Sequence, residues 1–420
     1  MVTELRVHSI GLYWRWRPDT ENVDKQSSHL SEDKTSSKDQ DYSEETSSTR
    51  RRRRRRRRQR KSWEKKSNIK SPKDIKDRHL TEVFEIPEDY KTKEQCLLGQ
   101  NLIMGQEIDR GAYATVSKIS DKFTGELMAC KEIRIGQVVR NKKLFDNLKS
   151  ELFIMCRTRH INLIRVSKHF IIKDNKLLTE FCYLIMEFAN GGNVLTRMTR
   201  VGLDGQSVVK SMSEVKAKDY FRQTSNGLVY LHRNKISHND LKLVNILVCI
   251  ETNGKEVLKI TDFGLSRLSY DSENKKVIKS RTGMGTVDYM SPQILRLYIY
   301  DLSEQFVDTL REYDPFKADC WALGVCLYCM ISARLPFTLS SLSDANLEEL
   351  KDMYHKMKRN EIDFNKVVTN NYSEDCRQMI IQLLEHNPNK RLDMEVVVRH
   401  KWLNTWLSTQ LNRIYIISFN

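Results

Sequence analysis

From about Leu97 to Trp402 the chain is built of short apolar runs separated by turn residues, and several runs carry one isolated polar or charged side chain. Ala129-Cys130-Lys131-Glu132-Ile133 reads as a strand with a single lysine in an apolar setting, where an ordinary exposed lysine fits poorly. Ahead of it, Ile108-Asp109-Arg110-Gly111-Ala112-Tyr113-Ala114-Thr115-Val116 reads as strand, tight turn, strand. A helical pattern from Lys142 to Cys156 includes Glu151. Farther on lie His238-Asn239-Asp240-Leu241-Lys242-Leu243-Val244-Asn245 and Asp262-Phe263-Gly264. With 420 residues, 39% of them hydrophobic, there is room for a substantial core.

No apolar run is long enough for a transmembrane helix, and Met1 to Thr20 lacks the basic-then-apolar order of a secretory signal, so the expectation is an intracellular protein without a membrane partner. The cysteines number nine, an odd count, and Cys130, Cys156, Cys182 and Cys249 sit in apolar stretches, which points to free core thiols. Cys326-x-x-Cys329 has zinc or redox spacing, but no second pair lies near it and it too reads as core.

Residues 1–95 have a different texture. They hold 25 of the 71 basic and 18 of the 55 acidic residues, and the basic excess comes entirely from the unbroken run Arg50 to Arg58. Asp19 to Thr49 is rich in Ser, Thr, Asp, Glu and Lys and cannot bury enough apolar surface to offset chain entropy, so 1–95 is expected to be a disordered basic extension. The arginine run has two readings: a patch for nucleic acid or an import receptor, or a solvated low-complexity tract with no dedicated partner.

The lysine, glutamate, Asp-x-Lys-x-x-Asn and Asp-Phe-Gly elements, followed in order by Asp319-x-Trp321-x-x-Gly324 and Arg391, resemble the eukaryotic Ser/Thr protein kinase family. The closing segment from Asn387 to Leu403 is similar to that of the calcium/calmodulin-dependent group, and the stretch from Tyr270 to Thr282 to that of testis-specific serine kinases. The resemblance implies a two-lobed α+β fold over residues 98–403, with a mostly β small lobe at about 98–189, a helical large lobe at about 190–403, and a short tail at 404–420.

It also implies roles. Phosphoryl transfer between oxygens needs charge neutralisation and alignment more than covalent help. Lys131 would meet the ATP phosphates with Glu151 pinning it, and Asn245 and Asp262 would supply hard oxygens for Mg²⁺. Asp240 would be the catalytic base and Lys242 would meet the γ-phosphate. Ile108, Gly111, Ala114, Val116, Ala129, Met186, Glu187, Phe188, Ala189 and Leu247 would form the nucleotide site, Met186 preceding the hinge Glu187-Phe188-Ala189. Lys242 and Thr286 match the pattern for serine and threonine hydroxyls in protein substrates. His238 reads as packing rather than as a base. Glu187 and Glu214 are candidates for setting substrate charge preference.

Four positions depart from the pattern. The glycine-rich loop keeps Gly111 but has Asp109 and Ala114 in the other two places, which lowers the expected nucleotide affinity. Asn239 replaces the arginine that pairs with a phosphorylated loop residue in many relatives, so activity is expected to depend little on phosphorylation of Thr282. Gln293 stands where a glutamate pairs with the arginine matched by Arg391, and a hydrogen bond is expected instead of an ion pair. The stretch from Leu295 to Lys317 is long and is expected to form a surface insertion. Two alternatives to an active kinase follow: a pseudokinase scaffold, motivated by the loop, Asn239 and Gln293, and a nucleic-acid-associated kinase recruited by the arginine run. The run favours the nucleus over the cytoplasm.

Overall fold

The computed structural model describes residues 101–404 except 112–113, 136–141, 175–178, 202–205, 304–311, 340–345 and 365–371. The extension 1–95 with its arginine run, the tail beyond Asn404, and Ala112 and Tyr113 of the glycine loop lie outside the described residues.

Five strands open the fold: β1 (Leu102–Arg110), β2 (Ala114–Asp121), β3 (Leu127–Arg134), β4 (Val166–Asp174) and β5 (Thr179–Glu187). They pair antiparallel in the order β1-β2-β3-β5-β4, and helix α1 (Lys142–Arg157) lies between β3 and β4 in sequence. Along β5 successive side chains alternate between faces. Phe181, Tyr183 and Ile185 join Leu102, Ile119 and Cys130 in one apolar cluster, whereas Cys182, Leu184 and Met186 join the main core with Ala129 and Ile133. Both faces of the sheet are therefore apolar.

Beyond the hinge the chain turns helical. Short helix α2 (Val194–Met198), the hairpin β6–β7 (Thr199–Val201, Ser207–Val209) and α3 (Glu214–Arg233) lead to β8 (Ile236–Ser237), a single 3-10 turn (Leu243–Asn245) and the hairpin β9–β10 (Ile246–Ile250, Glu256–Ile260). Strand β11 (Arg267–Leu268) pairs with β8, and β12 (Tyr270–Asp271) with β13 (Lys276–Val277). Helices α4 (Pro292–Ser303), α5 (Pro315–Ser332), α6 (Leu347–Lys358), α7 (Glu374–Leu383) and α8 (Met394–Val397) complete the large lobe.

Helix α5 is the axis of that lobe. A helix apolar all round belongs inside a core, and all but two of its eighteen residues, Phe316 and Lys317, are buried, Cys326 and Cys329 among them as free thiols. Asp314 caps its N-terminus by accepting from Phe316 N and Lys317 N, and Pro315 at the first helical position needs no hydrogen-bond acceptor there. Gly324 lets α7 approach, since a Cβ would fall 2.7 Å from Leu383 Cβ.

The expectation of a surface insertion over Leu295 to Lys317 is corrected for its described first part. That part is the continuation of α4, where Leu295, Leu297 and Ile299 are buried and the helix packs on α6. The buried Ile294, Leu295, Leu297 and Ile299 are spread around the helix rather than along one face, and such a pattern looks locally like extra length. Residues 304–311 lie outside the description, and Glu312 to Asp314 return to the folded unit.

Arg391 is 2% exposed and its guanidinium is shared among neutral acceptors. It donates to Gln293 Oε1 at 2.9 Å, Glu385 O at 2.9 Å, Lys317 O at 2.8 Å and, more weakly, His386 O at 3.3 Å, and it stacks over Trp321. Gln293 Nε2 donates to His386 O, so the amide satisfies both its ends. Burial pushes the guanidinium down to about 10. Gln293→Ala removes one acceptor from a buried cation and should cost about 1–3 kcal/mol of stability. Urea unfolding of the two proteins measures it, and a loss near zero would mean that the carbonyls alone suffice.

Candidate active site

The catalytic groups converge where the sheet meets the large lobe. Lys131, in the middle of β3, and Glu151, on the buried face of α1, meet with Nζ 2.5 Å from Oε1, and Nζ lies 3.8 Å from Asp262 Oδ1. Burial disfavours the ammonium, but Glu151 and Asp262 outweigh it and raise the Lys131 pKa above its ordinary value. Burial likewise disfavours the Asp262 carboxylate. The charges of Lys131 and Lys242 overcome that and hold its carboxyl below the usual range. Asp262 has φ +64°, a left-handed backbone that aspartate tolerates better than most side chains. Phe263 is buried and its ring lies 5.4 Å from that of His238, which anchors the Asp-Phe-Gly turn to the catalytic loop.

That loop is shaped from beneath. Asp319 of α5 accepts from the backbone N of His238 and of Asn239, each at 2.8 Å, while His232 Nε2 lies 2.9 Å from Oδ2. These bonds hold Asn239 at φ +67°. Its Nδ2 donates to Leu265 O at 2.8 Å, tying the loop to the chain that leaves Asp262. His238 is fully buried, with Nε2 donating to Thr261 O and Nδ1 facing Asp240 N, which leaves no ring nitrogen for a proton relay.

Asp240 is the hub. Asn245 Nδ2 donates to its backbone O at 2.9 Å and its Oδ2 at 3.3 Å, Lys242 Nζ sits 2.9 Å from Oδ2, and Thr286 donates to Oδ1 through Oγ1 at 2.9 Å. Lys242 also donates to Thr286 Oγ1 at 2.8 Å. A carboxylate, an ammonium and a hydroxyl are thus closed into one ring.

The nucleotide-site candidates lie on the sheet, at the hinge and on β9. Ala129 on β3 opposes Met186 on β5, both buried, and Val116 on β2 pairs in register with Lys131. Leu247 on β9 bridges to Asn193 just after the hinge, and Phe188 and Ala189 are half-buried. Ile108, on β1, is 50% exposed. Gly111 N donates to Ala114 O at 2.8 Å and closes the β1–β2 turn, and the Asp109 carboxylate accepts from the N–H of Arg110.

Two expectations are corrected. Glu187 accepts from Arg165 N at 2.7 Å and pairs with Lys259 at 2.9 Å; Glu214 accepts from Ser373 N, Ser373 Oγ and Trp402 Nε1. Both carboxylates are consumed inside the fold, so substrate charge preference rests on other side chains.

The protein kinase domain is matched over residues 102–403. The chain belongs to the protein kinase family. It is similar to a probable serine/threonine-protein kinase of Dictyostelium discoideum, 29% identical over 361 residues, covering 83% of this chain and 45% of that one. It is similar to CBL-interacting serine/threonine-protein kinase 5 of Arabidopsis thaliana, 29% identical over 300 residues, 71% of this chain and 57% of the other. Aurora kinase of Schizosaccharomyces pombe is 29% identical over 300 residues, 71% and 70% of the two chains. The chain thus spans about half the length of the first two relatives.

Family spacing pointed to Lys131, Glu151, Asp240, Lys242, Asn245 and Asp262. It gave Asp319 and Thr286 only as pattern matches, not as groups bonded to the catalytic loop and to Asp240. Charge coupling supplies a test. Asp262 has a depressed folded pKa, so its contribution to stability is present above its unfolded pKa and is lost as pH falls through the folded value. In Lys131→Met the largest opposing charge is gone while burial remains, so Asp262 should protonate at higher pH; carboxyl NMR titration reads this, and an unmoved Asp262 would contradict the coupling.

Proposed function

We propose that this chain is a Ser/Thr protein kinase that transfers the γ-phosphate of ATP to protein hydroxyls with Mg²⁺. The observation that carries the reading is the assembled set of Lys131 on Glu151, Asp240 ringed by Lys242, Asn245 and Thr286, and Asp262 facing Lys131. Family membership supports ATP as phosphate donor.

The residues fit a divalent cation of the hard type. Asn245 spends its Nδ2 on Asp240, which leaves its carbonyl oxygen as a ligand, and Asp262 is kept ionised by its cationic neighbours. Bound there, Mg²⁺ would neutralise phosphate charge. Lys131, held by Glu151, positions the phosphates. Asp240 accepts the hydroxyl proton of the incoming serine or threonine, and Lys242 supplies positive charge beside the transferred group. The Thr286 hydroxyl, bonded to both Asp240 and Lys242, marks the place where a substrate hydroxyl can exchange into the same ring.

A scaffold without activity would not need this ring closed, and the single-glycine turn weighs on nucleotide affinity rather than on the transfer groups. Asp240→Asn should lower transfer to a generic basic protein by about 10²–10⁴-fold while nucleotide binding persists. Equal transfer by both proteins, or none by either with both folded, would remove the reading.

For the arginine run we propose a nucleic-acid partner and a nuclear place of action. Nine consecutive guanidinium groups would release counterions on binding. RNA or DNA binding should weaken steeply with salt, and deletion of Arg50 to Arg58 should abolish that slope in a filter-binding titration. Binding unchanged by the deletion would assign the run to solvation alone.

A further inference from the structure

The segment between Asp262 and Pro292 is fastened to the chain that enters α5. Ser280 and Tyr313 exchange two backbone hydrogen bonds, each of 2.9 Å, as an antiparallel bridge. Tyr313 is 4% exposed and its hydroxyl donates to Thr282 O at 3.3 Å. One residue earlier, the Glu312 carboxylate pairs with Lys279 at 3.0 Å and with Arg281 at 3.6 Å, the two cations that flank Ser280. Gly283 then lies on α4, where a Cβ would fall 3.0 Å from both Cα and N of Tyr298, so a larger residue forces the segment off the helix. Three residues on, Thr286 reaches Asp240 and Lys242.

Among the described residues, the basic side chains beside Ser280 and on the chain leaving Asp262 are already engaged. Lys279 and Arg281 go to Glu312. Arg267, half-buried, donates to Asn147 Oδ1 on α1 and to Ser266 O. Position 239 is a neutral asparagine bonded to Leu265 O. A single exposed ion pair is weak, but these two pairs act together with a backbone bridge and a buried tyrosine.

We infer that Glu312 and Tyr313 are positioning residues: a strap that sets the path of residues 279–286, and through it Thr286 on Asp240, with the Glu312 carboxylate serving as a built-in anion so that no phosphate on Ser280 or Thr282 is required. The inference rests on the kinase reading above and concerns the docking of the protein substrate rather than of the nucleotide.

The test uses the full chain, phosphatase-treated, with a basic protein as substrate. Glu312→Lys sets a third cation against Lys279 and Arg281, and it should raise KM for the protein substrate by about fivefold or more while KM for ATP stays put. Hydrogen exchange over 278–286 should quicken in the same variant. Adding Lys279→Glu and Arg281→Glu to it restores the pairing with the signs reversed, and should return both quantities toward wild type. Tyr313→Phe, which keeps the ring and loses only the hydroxyl, should quicken exchange at 282–283 with the fold intact. Thr282→Ala should keep kcat within about twofold. An unchanged protein KM and unchanged exchange in Glu312→Lys, a charge swap that restores neither, or a tenfold loss in Thr282→Ala would each overturn the strap. If wild type transfers no phosphate, the kinase reading fails on that arm alone, and the exchange measurements still decide whether the strap holds the segment.

Discussion

Asp319 lies in the most buried helix among the described residues and spends both carboxylate oxygens on the two peptide N–H groups that begin the catalytic loop. A buried carboxylate without donors is costly, and peptide groups at a left-handed turn lack regular secondary-structure partners. Each solves the other's problem. The left-handed Asn239, the orientation of Asp240 and the seat of Lys242 all follow from this one anchorage, so the geometry of the site is set by the core of the large lobe.

The same economy recurs at Arg391. Where an ion pair is the family's usual arrangement, an amide and three carbonyls hold the guanidinium, and the amide's own N–H is satisfied by His386. Electrostatic attraction is exchanged for four hydrogen bonds to neutral oxygens. This is consistent with a depressed pKa that still leaves the group charged at physiological pH.

The residues legible in the sequence are those whose meaning lies in short, fixed spacing. Asp240, Lys242 and Asn245 share one loop, Asp262 opens a turn, and Lys131 stands out as a charge in an apolar strand. What stayed illegible involves pairs far apart along the chain. Glu214 meets Ser373 and Trp402, 159 and 188 positions away, and nothing local to it announces that its charge is spent. Glu187 is spent in the same way on Lys259, 72 positions away. The helix from Pro292 is hidden for a related reason: apolar residues beyond an expected boundary look like an insertion unless the helix they pack on, α6, is known to be there. The bridge between Ser280 and Tyr313 had no signature, because a backbone pairing of two residues does not constrain their side chains.

Tyr313 is followed directly by Asp314, the residue that caps α5. The register of the loop above the catalytic aspartate is therefore inherited from the first turn of the core helix, with one residue between them. Loops usually open and close on their own clock, far faster than the body of a domain unfolds. Here the bridge to Ser280 sits one residue from a helix end sealed by aspartate and proline, so an opening of that end would loosen the loop with it.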